Sequence, residues 1–419
     1  MRVLWFTNTP SLAVEYLDTK VIGGGWIGSL EAELSKTPSL ELGVAFRVFD
    51  KSIKPFKINK STYFPLFIKR NDNKVKQLFS RWNHKVERED HLYHYLEVIK
   101  EFKPDIIHIF GTESEFGLLT AFTEIPCLIY IQGILTVITQ KWWSGLSELE
   151  VLKYSPKLPL LKGRGLYHDY FITLKAARRE EVIYKNNRFY IGRTDWDRRI
   201  SSVLSPGSRY FHCDEIMRSV FYQSEWNDKP QRDTFTVVSI TRKAIYKGLE
   251  TLLDCAVYLN RFFPSYRIKW RVAGVKNTDE VTKLIERKLK TRFEDMGIIL
   301  LGTLNEDNLV TEMLQADLFV HPSHTDNSPN SICEAMLLGM PIIATYAGGI
   351  PSIILDKEEG LLIQDGDSIA LAGAVLELYH NREYAVLLGK KARQKAMNRH
   401  SPASIAETIY DIYNAVLRP

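Results

Sequence analysis

The sequence predicts an α/β protein built from two doubly wound, Rossmann-like parallel-sheet domains. Three observations carry that reading. Short, near-continuous runs of Val, Ile, Leu and Phe alternate with longer helical patterns, as expected of strands buried on both faces beneath crossover helices. The runs are too many for one sheet, and their pattern restarts near residue 234. Polar or glycine-rich loops follow several runs, where doubly wound sheets bind ligands.

Taken in order, the first-half strands are expected at "RVLWF", "LGVAFRVF", "DIIHIF", "CLIYIQG" and "RFYIG". Those of the second half are expected at "TFTVVSI", "IKWRVAG", "GIILLG", "DLFVHP", "PIIAT" and "GLLI". The polar, proline-containing "SEWNDKPQRD" before the restart reads as a linker, with the break at residues 224 to 233. The expected domains are therefore 1–225 and 226–400. Ala335 to Leu355 lacks charge, but its Gly and Pro residues divide it into helix, strand and turn rather than a membrane span.

The chain of 419 residues, 25% charged with a formal charge of +5, has the composition of a soluble globular protein. Its four cysteines, Cys127, Cys213, Cys255 and Cys333, show no CxxC spacing, which favours buried thiols in a reducing compartment over disulfides or zinc. The start, "MRVLWFTNTP", has too short an apolar core for a signal peptide. A cytoplasmic location is expected.

Three loops carry candidate chemistry. In "VIGGGWIGSLEAEL", Gly24 and Gly25 precede a helical run and offer backbone N–H groups to a phosphate, although a simple turn after strand one is equally consistent. The spacing does not match GxGxxG. In "SITRKAIYKGLE", Arg242 at a strand end and Lys247 at a helix start could clamp a diphosphate or form a solvated basic loop. In "HTDNSPNSICEAMLLGMP", Asn327 to Pro329 form a turn, Asn330 or Ser331 can cap a helix, and Glu334 is read as lying in its first turn. Helix capping explains Glu334 but leaves Asp326 unexplained. His108 in "DIIHIFGTE" is read as a core or edge histidine or a functional one, Glu113 as a surface acid or a site residue, and Gln132 in "YIQG" as a strand-end contact.

Lys51 to Arg88 holds eleven Lys or Arg against Asp72 and Glu87, interleaved with Phe56, Phe64, Phe67, Phe79 and Trp82. Such a surface can adhere to anionic lipid headgroups; a solvated basic face is the plainer reading. No nucleic-acid motif accompanies it, so nucleic acid is not expected as a partner.

Together these motifs resemble family 4 retaining glycosyltransferases of the GT-B fold. "DNSPNSICEAMLLGMPIIATYAGGIPSII" is similar to that family's signature, "SITRKAIYKG" to its diphosphate clamp, and "GGGW" to its amino-terminal glycine loop. "SPASIAETIYDIYNAVL" resembles the helix that returns to the first domain, here 401–419, and the two domains are expected to face a cleft. "IGRTDWD" and "YFHCDEIMR" are similar to bacterial surface-polysaccharide enzymes. The resemblance implies that Glu334 holds ribose hydroxyls and Asp326 contacts the donor sugar, with Asn330, Ser331 and Ile332 near phosphate or sugar. It implies that Arg242 and Lys247, aided by Gly24 and Gly25, neutralise the leaving diphosphate. Gly302, Thr303 and Leu304, in "GTLN", fall where the base binds. His108, Glu113 and Gln132 fall on the acceptor or donor-sugar side.

The sequence departs from the family at three positions. Asp326 stands where Glu is usual, Gln132 where His is usual, and Ser352 where an acid is usual. The implied activity is metal-independent, cofactor-free hexosyl transfer with retention, from a nucleotide-sugar donor to a glycan or lipid-linked acceptor. Peripheral contact with the inner face of the cytoplasmic membrane through residues 51–88 is expected as well. Rival readings are phosphorylase- or epimerase-like chemistry on the same scaffold, or a non-catalytic module that binds nucleotide-sugar or membrane.

Overall fold

A computed structural model describes residues 1–17, 25–69, 73–86, 91–228 and 233–418. The chain forms two compact units. The first comprises Met1–Thr139, Phe171–Arg218 and His400–Pro419; the second comprises Gln140–Tyr170 and Ser219–Arg399.

The first unit contains β1 (Arg2–Thr7), β2 (Glu41–Val48), β3 (Phe56–Ile58), β4 (Ser61–Phe67), β5 (Ile106–Phe110), β6 (Cys127–Tyr130), β7 (Phe189–Gly192) and β8 (Arg209–His212). They form one sheet in the order β3-β4-β2-β1-β5-β6-β7-β8. Its pairings are parallel except β3 with β4. All five expected first-half runs are strands, and β3, β4 and β8 are additions. Strand β4, "STYFPLF", is obscured in the sequence by Pro65. Pairing with β3 stops opposite Tyr63, so the missing N–H of Pro65 faces an unpaired edge, where proline is tolerated.

The second unit contains β9 (Phe235–Ile240), β10 (Ile268–Ala273), β11 (Ile298–Gly302), β12 (Leu318–His321), β13 (Ile342–Thr345) and β14 (Leu361–Ile363). These match the six expected runs and pair in parallel in the order β11-β10-β9-β12-β13-β14. Both sheets are doubly wound. In the first, β1 lies between β2 and β5; in the second, β9 lies between β10 and β12. Each arrangement creates a switch point, and loops leaving strand ends there diverge to leave a crevice. In the second unit those loops follow β9 and β12, the strands that precede Lys247 and Asp326.

Two segments depart from a simple division at the linker. Gln140–Tyr170 belongs to the second unit. Glu280 accepts hydrogen bonds from Ser155 Oγ and the Leu166 N–H at 2.9 and 3.1 Å, and Lys288 Nζ donates to the Gly145 carbonyl at 2.7 Å. Trp226, inside the stretch read as linker, is buried; its backbone and indole N–H groups donate to the carbonyls of Leu338 and Ala316 at 2.7 and 2.8 Å. A large aromatic with both donors satisfied is a core residue, whatever the polarity of its neighbours.

The helix Pro402–Leu417 belongs to the first unit, as the resemblance implies. It starts with proline in its first turn and buries Ile405, Ile409, Ile412, Tyr413 and Val416, a stripe at helical spacing. Tyr413 is its anchor. The Trp5 indole N–H donates to the Tyr413 hydroxyl at 3.1 Å, and that hydroxyl, already accepting from the indole, is placed to donate to His108 Nδ1 at 2.7 Å. All four cysteines are buried free thiols. Among the described residues, no helix is long and apolar enough to cross a membrane.

Candidate functional site

The clearest concentration of chemistry lies at the switch point of the second unit. After β9 the chain reaches a short turn, Ile245–Lys247, that ends at Gly248 with φ +72°. A Cβ at Gly248 would lie 1.9 Å from the Pro322 carbonyl oxygen, so glycine lets this loop press against the one following β12. Gly348, with φ +58°, does the same on the other side, where a Cβ would lie 1.9 Å from the Asp326 carbonyl oxygen. The Gly349 N–H donates to that oxygen at 2.8 Å. The backbone of Asp326 is thus held by the glycine-rich segment "YAGGIPS".

These contacts bring Lys247 and Asp326 together. Lys247 Nζ lies 2.5 Å from Asp326 Oδ2, and His321 Nε2 lies 3.3 Å from the same oxygen. The Asn327 N–H donates to Oδ1 at 3.1 Å. Lys247 and His321 are both buried. Burial alone would raise the Asp326 carboxyl, but Lys247 and then His321 outweigh it and hold the group far below the usual carboxylate range. Burial lowers Lys247, with Arg242 acting in the same direction and Asp326 opposing them. Arg242 itself is exposed at the end of β9, and its charge acts on both Lys247 and His321.

The helix Asn330–Leu338 begins beside this group, with Ser331 Oγ 3.5 Å from His321 Nδ1. Neither Asn330 nor Ser331 is its cap. Pro329 occupies the N-cap position and, as proline, makes no side-chain cap bond. Proline fixes the turn but offers no side-chain acceptor to the first N–H groups, and the Ile332 N–H donates to the Pro329 carbonyl at 2.9 Å. Glu334 is buried and is the fifth residue of the helix, beyond the first turn. Because macrodipole stabilisation fades beyond the first turn, it does not explain an acid there. Asn330 is exposed, Ser331 half-buried and Ile332 buried. Gly302, Thr303 and Leu304 lie at the carboxyl end of β11, two strands from β9 in sheet order.

His321 and His324 escaped the sequence reading, although "FVHPSH" places polar side chains at a strand end, the signal used for Arg242. His324 Nε2 lies 2.6 Å from Glu250 Oε1, and Nδ1 lies 3.2 Å from Asp365 Oδ2. Its N–H donates to the Tyr246 carbonyl at 2.9 Å, tying the Asp326 loop to the Lys247 loop. Burial opposes its positive charge, but Glu250 and then Asp365 prevail and raise its pKa. The sign follows: stabilisation by charged His324 is complete below its unfolded pKa of about 6.5 and is lost as pH rises through the higher folded value. Thermal unfolding should therefore show wild type exceeding His324→Gln by more near pH 6 than near pH 9. A gap independent of pH would remove the charge from this account.

In the first unit, Gly24 lies outside the described residues. Gly25 is exposed, has φ +52° and opens the helix Gly25–Leu34. His108 lies inside β5, fully buried, with its ring stacked on Phe110 at 4.3 Å between centroids. Glu113 Oε1 accepts from the Gly133 N–H at 2.8 Å, Oε2 is enclosed without a hydrogen-bond partner among the described residues, and burial raises its pKa. Gln132 is half-buried after β6. The loop after it is fixed by Glu180, which accepts from the N–H groups of Leu135 and Thr136 at 3.0 and 2.7 Å.

Comparison with known proteins places this geometry among relatives. A family described as "Glycosyl transferases group 1" matches residues 223–395, the segment that contains all of the switch-point residues above. The chain is 29% identical over 336 residues to the sulfoquinovosyl transferase SQD2 of Arabidopsis thaliana, covering 76% of this chain and 58% of that protein. It spans about half the length of the curated relatives it matches, 58%, 47% and 47% for three of them. In fold it is similar to sucrose-phosphate synthase from Thermosynechococcus elongatus, with TM-score 0.70 and 15% identity over 99% of this chain and 98% of that one. The crystal structure of Anabaena Alr3699/HepE in complex with UDP-glucose superimposes with TM-score 0.59 and 15% identity, covering 99% of this chain and 100% of that one. These likenesses give the fold as GT-B.

Proposed function

We propose that the chain belongs to the glycosyl transferases group 1, whose match spans residues 223–395, and that it transfers a sugar from a nucleotide-diphosphate sugar to a hydroxyl acceptor with retention of configuration. The acceptor in this reading is a glycan or lipid-linked glycan of surface-polysaccharide synthesis. The observation that carries it is the buried Lys247 ammonium at a strand-end switch point, linked through Asp326 and His321 to the start of the helix Asn330–Leu338.

The chemistry follows from charge. Cleaving the bond between sugar and diphosphate leaves negative charge on the phosphate oxygens. A fixed cation and helix-end N–H groups stabilise such charge without reorganising, which is where most of the rate enhancement arises. Lys247 has three donors, one of which goes to Asp326. Arg242 adds a second cation at the sheet end. Glu334, buried beyond the first turn, is assigned to the ribose hydroxyls, and Asp326 to the sugar. The incoming hydroxyl gives its proton to a donor phosphate oxygen, and attack on the face that the diphosphate leaves retains configuration. Membrane contact through residues 51–88 fits a lipid-linked acceptor. Arg70, Asp72, Glu87 and Arg88 of that segment lie outside the described residues.

The test is a donor screen. UDP-glucose is the first donor to try, because the Anabaena relative of the same fold was crystallised with it. One nucleoside diphosphate among UDP, GDP and ADP should raise the unfolding temperature, and the matching nucleotide-sugar should slowly release nucleotide. Glu334→Ala should abolish both effects, since a carboxylate that accepts two ribose hydroxyls contributes about 2–3 kcal/mol, roughly a thirtyfold to hundredfold loss of affinity. If millimolar nucleotide stabilises nothing, the transferase reading fails.

A further inference from the structure

The helix Lys74–Trp82 is amphipathic in the reverse sense to an ordinary surface helix. Val75, Leu78, Phe79 and Trp82 recur at i, i+3, i+4 and i+7, so they form a single stripe. That stripe faces solvent, with Val75 75%, Leu78 41%, Phe79 71% and Trp82 47% exposed. None of the helix residues is buried, and those partly covered are Gln77, Ser80 and Arg81 on the opposite side. The polar face meets the protein and the apolar face meets water.

The helix is nevertheless held in place. Asn73 caps it, its side chain accepting from the N–H groups of Val75 and Lys76 at 3.0 Å each. Beyond its end, Lys175 Nζ donates to the Asn83 carbonyl, and the His84 ring stacks on Phe171 at 5.1 Å. The outward stripe is therefore a feature of the folded unit, and leaving four large apolar groups in water has a cost that a partner would remove.

Charge identifies the partner. Residues 51–69 and 73–86 contain nine Lys or Arg and no Asp or Glu. At about 100° per residue, Lys74 and Arg81 flank the stripe on one side and Lys76 on the other. An apolar face bordered by cations is the arrangement that settles into the headgroup boundary of an anionic bilayer, with the rings and methyl groups among the acyl chains and the ammonium groups on phosphates. A second copy of this chain would bring an equally basic stripe and repel it. We propose that the helix Lys74–Trp82 is a membrane-docking element that binds peripherally to anionic phospholipid. This reading needs no nucleotide-sugar, so it stands or falls separately from the proposed transferase activity.

The experiment is co-sedimentation of the full chain with vesicles of phosphatidylcholine, pure or doped with phosphatidylglycerol, without nucleotide. Binding should require phosphatidylglycerol and weaken as salt is added. The surface double variant Val75→Glu/Phe79→Glu should bind about tenfold or more weakly, and Lys74→Glu/Lys76→Glu similarly, with unchanged thermal unfolding. Equal binding to neutral vesicles would overturn the proposal, as would unchanged binding by the Val75/Phe79 variant. Self-association in the absence of vesicles, lost in that variant, would overturn it in favour of a second copy as occupant.

Discussion

Lys247→Met is expected to cut sugar transfer by about a hundredfold to a thousandfold, the loss seen when one fixed donor to a developing oxyanion is removed. It should also destabilise the second unit by about 3–5 kcal/mol, because Asp326 is left without its nearest cation in a largely enclosed position. Stability and activity can be separated by the partner substitution. Asp326→Asn in the Lys247→Met background removes the unpaired charge and should recover most of the lost stability, since replacing a buried pair by neutral groups is often close to neutral. Activity should not return, because the cation that the proposed reaction places at the leaving group is still missing. Denaturant unfolding and nucleotide release, measured on the two single variants and the double, form the cycle that decides it. Recovery of both together would make the pair structural only. Full transfer by Lys247→Met would eliminate the ammonium as the stabilising group.

That pair also marks how much of the site was legible in the sequence. Lys247, Asp326 and Glu334 stood out because each sits where a doubly wound sheet presents ligands, and the structure brings two of them into direct contact. The contact itself was not legible. It depends on Gly248 packing against Pro322 and Gly348 against Asp326, tertiary approaches that leave no periodic trace. The cap assigned to Asn330 or Ser331 followed sound preferences, but Pro329 takes that position, shifting the helix start and carrying Glu334 out of the first turn. The pairing of His324 was unreadable for a different reason, although its place at a strand end was a signal. Its partners, Glu250 and Asp365, are 74 and 41 residues away, and neither is unusual in its own surroundings.

The fold was more legible than the site, for a physical reason. A central parallel strand must be apolar on both faces, so β1, β5, β9 and β12 appear as short apolar runs in any window. Edge strands escape that demand. β8 reads "RYFH", with none of its residues buried, and β4 is interrupted by a proline that only an unpaired edge accommodates. The helix Lys74–Trp82 shows the limit from the other side. Its stripe was visible as interleaved aromatic residues, yet periodicity cannot say which face meets water.

A histidine inside a strand makes the fold sensitive to acid, and His108 is expected to produce a large effect between about pH 6.5 and pH 4.5. Burial lowers its pKa from 6.5 to about 3. The neutral form is held by Tyr413, whose hydroxyl is placed to donate to Nδ1, while Nε2 is enclosed with no hydrogen-bond partner among the described residues. Protonation would turn Nδ1 into a donor facing a donor and place a charge among Trp5, Phe110 and Tyr130. Because the unfolded chain takes up the proton near its ordinary pKa and the folded chain does not, the stability is complete above about pH 6.5 and falls by roughly 1.4 kcal/mol per unit as pH drops toward the folded value. Between about pH 6.5 and pH 4.5 the first unit should therefore lose roughly 2–3 kcal/mol through this residue alone. His108→Gln keeps an acceptor for Tyr413 but cannot titrate, so the stability of the variant should decline more gently over the same range, whatever its starting value. Denaturant unfolding of both proteins at several pH values measures the difference of slopes, from which acid effects common to both, those of Asp326 and His321 included, cancel. Parallel slopes would mean that His108 accepts its proton in the folded state, and that the Tyr413 anchor of the returning helix tolerates a charged ring.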